Sequence, residues 1–240
     1  MAIFLKANWQ NIIMANYAIP SELLQPFLPK GVELDLYNGK AYASLVGFMF
    51  RDTKLFNIPI PGLGTFEEIN LRFYVLRREG AITKRGVVFV NETIPYKAVA
   101  WVANKLYKEH YTAIPTKHQW SIGVDKKCIS YEWKINNRWN SLAVEAATGG
   151  EKMQPGSFEE FIFEHYYGYT KINSNATEEY KINHPSWEVN KVHSTKIDCD
   201  FAAMYGSEFG FLKDEEPDSV FIAEGSAVEV EWKRIRLNLE

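Results

Sequence analysis

Few folds can satisfy the segment Phe66-Glu67-Glu68-Ile69-Asn70-Leu71-Arg72-Phe73-Tyr74-Val75. Apolar and polar residues alternate with a period of two, as in a β-strand. Ile69, Leu71, Phe73 and Val75 then share one face, and Glu68, Asn70, Arg72 and Tyr74 the other. The apolar face demands a covering layer. The polar face is harder to place, because charges are costly to bury unless they are paired or used. The segment therefore predicts a strand with core on one side and a polar site on the other. Glu67 falls on the apolar side and drops out of that site unless a bulge reverses the register.

The rest of the chain supplies short strands and few helices. Ser21–Pro29 reads as a short helix capped by Ser21. Val32, Leu34 and Leu36 alternate with charges, and Asn38-Gly39 turns the chain into a strand over 40–51. Residues 53–65, with Pro59, Pro61, Gly62 and Gly64, read as a long loop or covering flap. Glu79-Gly80 is a turn, and 85–91 the returning strand. Ala98, Trp101, Val102, Lys105 and Leu106 follow helical spacing up to about 107–110. Turns at Asp125-Lys126 and Asn136-Asn137 flank a strand whose Ile129, Tyr131, Trp133 and Ile135 share one face, and Gly149-Gly150 breaks the next run. Ser157-Phe158-Glu159-Glu160 is a capping box that opens a helix to about Tyr167. Residues 170–183 look exposed, 187–197 and 220–232 are late strands, and a helical turn lies near 201–205.

These elements predict an α+β, mainly antiparallel β fold, with the sheet closed or nearly closed into a barrel and helices packed outside. A β-sandwich is the alternative. No boundary stands out, so 1–240 reads as one domain. A net charge of −3 with no basic run argues against nucleic-acid binding. Cys128 and Cys199 read as two reduced thiols. No leader pattern and no apolar run of membrane-spanning length is present, which predicts a cytoplasmic protein with no membrane partner.

Six short elements resemble the uncharacterised YqjF-like family, domain of unknown function 2071, in the acetoacetate-decarboxylase-like fold group. They are Leu28-Pro29-Lys30-Gly31 through Asp35, Gly39-Lys40-Ala41-Tyr42 through Val46, Glu68-Ile69-Asn70-Leu71-Arg72-Phe73-Tyr74-Val75, Arg85 through Phe89, Phe163-Glu164-His165-Tyr166, and His184-Pro185-Ser186-Trp187. His165 stands where the family usually has arginine, and Pro185 comes one position early. The resemblance implies a barrel of the acetoacetate-decarboxylase-like type with a ligand cavity. In decarboxylases of that group a lysine pair follows the helix and one lysine forms a Schiff base with a keto acid. Here the corresponding stretch is Tyr107-Lys108-Glu109-His110-Tyr111, without the pair. Lys108 could reach inward from the helix end. Lys126-Lys127, the chain's lysine doublet, sits at a turn and reads as solvated.

Arg72 is the leading site residue, because its planar fork suits a carboxylate or phosphate. The competing reading is a structural pair with Glu68, roughly 13 Å away along the strand. Glu68 is assigned as proton acceptor or anchor, against a role as partner for a lysine on a neighbouring strand. Asn70 is an orienting donor. Tyr74, Tyr107, Tyr111, Glu164, Tyr166, His184 and Trp187 complete the expected ligand-binding set, although packing is the commoner role for such aromatics. The five histidines are scattered, so no metal and no other cofactor is expected. Three functions remain open: a site for a small anionic or carbonyl-containing organic acid, with lyase-like proton transfer that needs no Schiff base; a non-enzymatic binding or sensing module; and a homo-oligomeric interaction protein.

Overall fold

A computed structural model describes residues 2–59, 61–107 and 110–238, with positions 106, 107 and 238 described by backbone only. The strands are β1 (Ile3–Ile19), β2 (Glu33–Leu34), β3 (Ala41–Leu55), β4 (Ile58–Pro59), β5 (Phe66–Glu79), β6 (Ile82–Ile94), β7 (Tyr111–Ala113), β8 (Thr116–Ile122), β9 (Lys126–Ile135), β10 (Arg138–Lys152), β11 (Tyr167–Asn173), β12 (Ala176–Asn183), β13 (Glu188–Asp198), β14 (Ser219–Glu231) and β15 (Ile235–Asn238). Among the described residues four short α-helices accompany them: α1 (Ser21–Leu24), α2 (Lys97–Tyr107), α3 (Phe158–Phe163) and α4 (Phe201–Tyr205). All strands join one sheet, antiparallel except where β6 meets β7 and β11.

The sheet follows the order β15-β12-β11-β6-β5-β3-β1-β14-β13-β10-β9-β8. β12 also pairs with β14 through Ile182↔Val230 and Asn183↔Glu229. That contact closes a circuit from β12 through β11, β6, β5, β3 and β1 to β14. Two residue pairs make the closure, so the circuit is unevenly paired, and the expected closed barrel is met only as a mainly antiparallel sheet with few helices.

Alternation sorts β1, β3 and β5 between two cores. Outward, Ile69, Leu71 and Phe73 pack with Leu45 and with Tyr131, Trp133 and Leu142 of β9 and β10. Inward, Phe48, Phe50, Phe66 and Tyr74 join Met14, Ile162 and Tyr180. Register slips in the β1–β3 pairing shift this phase. Asn11 adopts a φ of 50° where the β1–β3 register slips, so Ala7 and Ile12 both point inward. Opposite it, Gly225 has a φ of 85°, and a Cβ there would lie 2.1 Å from the Trp9 carbonyl oxygen.

Several sequence expectations change. Ser21 does not cap its helix; Pro20 holds that position without a side-chain bond. The expected loop at 53–65 contains the end of β3 and a hairpin to β4, turned by Phe56 and Asn57 in the left-handed region. β10 runs through Gly149-Gly150. α3 stops at Phe163, although Ser157 does cap it by accepting from the Glu160 amide. Of residues 170–183, Lys171 and the hairpin tip at 173–175 are exposed as expected, but β12 is largely buried, because Glu178 pairs with Arg234 and Arg236, and Glu179 with Arg77 and Lys84. Lys127 is not solvated. It lies on β9 in phase with Ile129, is 1% exposed, and bonds Glu224 Oε1 at 2.6 Å and Asn190 Oδ1 at 3.0 Å. Cys128 and Cys199 are both free thiols.

Candidate functional site

The inward face of β5 opens on a cavity of about 280 Å³. Its walls are apolar: Phe48, Phe50, Phe66, Phe89 and Tyr180 from the sheet, and Ala98, Val99, Val102 and Ala103 from α2. Its polar lining consists mainly of Glu68, Asn70, Arg72, Glu92 and Tyr111. Strand periodicity brings the first three together, as expected. Glu92 comes from a second device. The β5–β6 register slips between Leu71↔Asn91 and Arg72↔Phe89, so Val88 and Val90 face outward whereas Glu92 and Ile94 turn inward with Val87 and Phe89. Glu92 is then the direct cross-strand partner of Asn70. Simple alternation along β6 would have placed it outside; the bulge re-aims it.

The two ends of this polar row differ in sign. Asn70, 1% exposed, donates through Nδ2 to Glu68 Oε1 at 3.0 Å. Tyr111 donates its hydroxyl to Glu68 Oε2 at 3.2 Å and also bonds Glu92. Burial, and then the Glu68 and Glu92 charges, push the Tyr111 hydroxyl well above the usual phenol range, so it stays protonated and serves as a donor. At the other end, Arg72 Nη2 lies 3.5 Å from Met14 Sδ, and the guanidinium carbon is 5.8 Å from the centre of the Tyr74 ring. Its buried Nε has no hydrogen-bond partner. No carboxylate of the described residues comes within ion-pair distance of Arg72, so the competing reading of a structural pair with Glu68 finds no support.

The other expected residues lie elsewhere. Tyr74 stands beneath Arg72 and is 1% exposed; its hydroxyl is 2.6 Å from Ser44 Oγ, which donates in turn to Asn16 Oδ1 at 2.6 Å. Tyr166, His184 and Trp187 form a stack, with His184 4.1 Å from Trp187 and 4.7 Å from Tyr166. That stack meets the cavity wall through Trp9, 6.2 Å from Trp187. Burial holds His184 below the usual imidazole range; Arg72 adds to this, while a bond to the Pro185 carbonyl and the Glu164 charge oppose it. Glu164 accepts from the Tyr166 hydroxyl. The side chain of Tyr107, and all of Lys108, lie outside the described residues. Glu67 faces the opposite side, where it meets His118 and Thr116. Among the described residues no lysine lines the cavity, and no group of three acidic, histidine or cysteine side chains is placed to hold a metal.

Residues 6–227 match the family described as an uncharacterized conserved protein, domain of unknown function 2071. The chain belongs to that family. A relative, uncharacterized protein YqjF of Bacillus subtilis (strain 168), is 35% identical over 72 residues, a stretch covering 30% of each protein. Solved structures share the fold. An acetoacetate decarboxylase-like enzyme from Sphingomonas wittichii RW1 has a TM-score of 0.66 at 10% identity, covering 100% of this chain and 95% of that one. Acetoacetate decarboxylase from Legionella pneumophila gives 0.63 at 11%, covering 99% and 86%. The enduracididine biosynthesis enzyme MppR, complexed with pyruvate, gives 0.65 at 11%, covering 99% and 92%. At such identities the likeness establishes an acetoacetate-decarboxylase-like fold. Among the described residues no helix is long and apolar enough to cross a membrane.

Proposed function

We propose that the chain is a single unit whose seven-strand circuit works as a barrel wall around a site for a small organic acid. The acid would place its carboxylate on Arg72 and its apolar body between Phe48, Phe66 and α2. One observation carries this reading: a guanidinium with no counter-ion among the described residues lines a largely apolar cavity. An ion in that setting gains most from a carboxylate held by paired charge-assisted hydrogen bonds. That MppR, with the same fold, is complexed with pyruvate supports a carboxylate ligand.

A second reading, lyase-like proton transfer, is favoured by Tyr111, which offers a proton beside the Glu68 and Glu92 acceptors. In that case the bound acid exchanges its α-hydrogens for deuterium in the presence of the wild-type protein, and the exchange is lost in Tyr111→Phe.

Binding is tested by thermal shift and calorimetry with straight-chain carboxylates and keto acids. A ligand at a hundred times its Kd is expected to stabilise the fold by about 2.7 kcal/mol. Arg72→Met should abolish that response while leaving the unliganded protein folded. Ligand-induced shifts that persist in Arg72→Met, or no binding by any carboxylate, would refute the assignment.

A further inference from the structure

The cavity specifies a second group on its ligand. Arg72 leans toward Met14 and the Tyr74 ring and occupies the positive end of the row. The opposite end is built of acceptors. Asn70 Nδ2 is committed to Glu68 Oε1, and this fixes the amide orientation, since the flipped form would set two oxygens against each other. Asn70 Oδ1 is thereby left as a buried acceptor without a donor, in a residue that lines the cavity. A buried acceptor in that state is costly unless a donor reaches it. The carboxylates of Glu68 and Glu92 flank it, so a donor that also carries positive charge suits the position better than a neutral one.

Resting on the carboxylate reading above, we infer that the ligand is an organic acid with an amine or guanidinium at its far end. The nitrogen sits at Asn70 Oδ1 between Glu68 and Glu92, the carboxylate sits at Arg72, and an apolar spacer crosses the phenylalanine-lined wall. The spacing excludes an α-amino acid lying across both ends. Asn70 and Arg72 are two residues apart on an extended strand, about 7 Å. Arg72 Nη2 reaches sideways to Met14 on β1, two strands from β5 in the sheet, which lengthens the gap. A spacer of roughly five to six carbon–carbon bonds covers it.

The test compares 6-aminohexanoate, hexanoate, hexylamine and leucine by calorimetry on the purified protein. The expected order places 6-aminohexanoate at least tenfold tighter than hexanoate, with leucine and hexylamine weaker still. Arg72→Met should remove binding of both acids. Glu92→Gln should erase the tenfold preference and keep hexanoate binding; Asn70→Ser gives the same comparison if Glu92→Gln does not fold. If hexanoate binds as tightly as 6-aminohexanoate while Arg72→Met still abolishes both, the carboxylate site stands and the amine end is refuted. If neither acid binds, both readings fall.

Discussion

His165 gives the protein an acid sensitivity that can be calculated. Its side chain is fully buried beside the ring of Tyr74, at 4.7 Å, and edge-on to Phe161. Nε2 lies 3.2 Å from Asp35 Oδ2, and Nδ1 has no partner. Burial is the main influence, and it pushes the imidazole down to about 4; Arg85 and Arg72 act in the same direction, whereas the bond and charge of Asp35 oppose it. In the unfolded chain the ring titrates near its ordinary 6.5. The unfolded state therefore binds more protons than the folded state between pH 6.5 and 4, and stability must fall as pH is lowered through that window. For those two values, going from pH 6.5 to 5 removes about 1.5 kcal/mol. The window stays above the range in which Asp35, itself held below its usual value despite burial by bonds from His165 and Arg85, begins to titrate. His184 is shifted the same way and contributes to both proteins in a comparison with His165→Phe. Urea unfolding followed by tryptophan fluorescence at pH 6.5, 6.0, 5.5 and 5.0 measures the difference. Wild type should lose about 1.5 kcal/mol more than His165→Phe across the series. Parallel curves would show that His165 does not titrate as a buried neutral ring.

Two further perturbations test the packing. A Cβ at Gly168 would lie 2.1 Å from Cζ of Tyr180, a cavity-wall residue, so Gly168→Ala is expected to cost about 1–3 kcal/mol and to weaken the response to any cavity ligand; unchanged melting and binding would contradict the close approach. Glu224→Leu leaves the buried Lys127 ammonium with Asn190 alone and should cost about 3 kcal/mol. Lys127→Met should cost less, because the carboxylate it orphans is half exposed to water; the order of the denaturation midpoints decides.

What the sequence made legible is what periodicity alone determines. The two faces of β5 need only a period of two, so the division of Glu68, Asn70 and Arg72 from Ile69, Leu71 and Phe73 could be read without any knowledge of neighbours. Lys127 obeys the same rule: the buried phase of Ile129, Tyr131 and Trp133, extended back one step, reaches it. Turn chemistry drew attention to its exposed neighbour instead. Glu92 required knowledge of the slip between β5 and β6, which exists only once the strands are paired. Residues 170–183 looked exposed because their carboxylates find counter-ions from β5, β6 and the last strand, far away in sequence. Ring closure by two residue pairs is likewise a long-range fact.

Arg72 and Arg77 bring out why the missing partner matters more than the residue type. Both lie on β5, and both carry the same guanidinium. Arg77 meets Glu179 at 2.9 Å and Glu79 at 3.5 Å, and those carboxylates raise its proton affinity despite burial. Its charge is satisfied within the chain, and nothing further follows from it. Arg72 is half-buried against an apolar wall and meets a thioether and an aromatic face. Such contacts soften the desolvation of a cation but do not replace an anion. The same strand therefore holds one arginine whose charge is met by Glu179 and Glu79 and one that has no ion pair among the described residues, and it is the second that directs attention to the cavity.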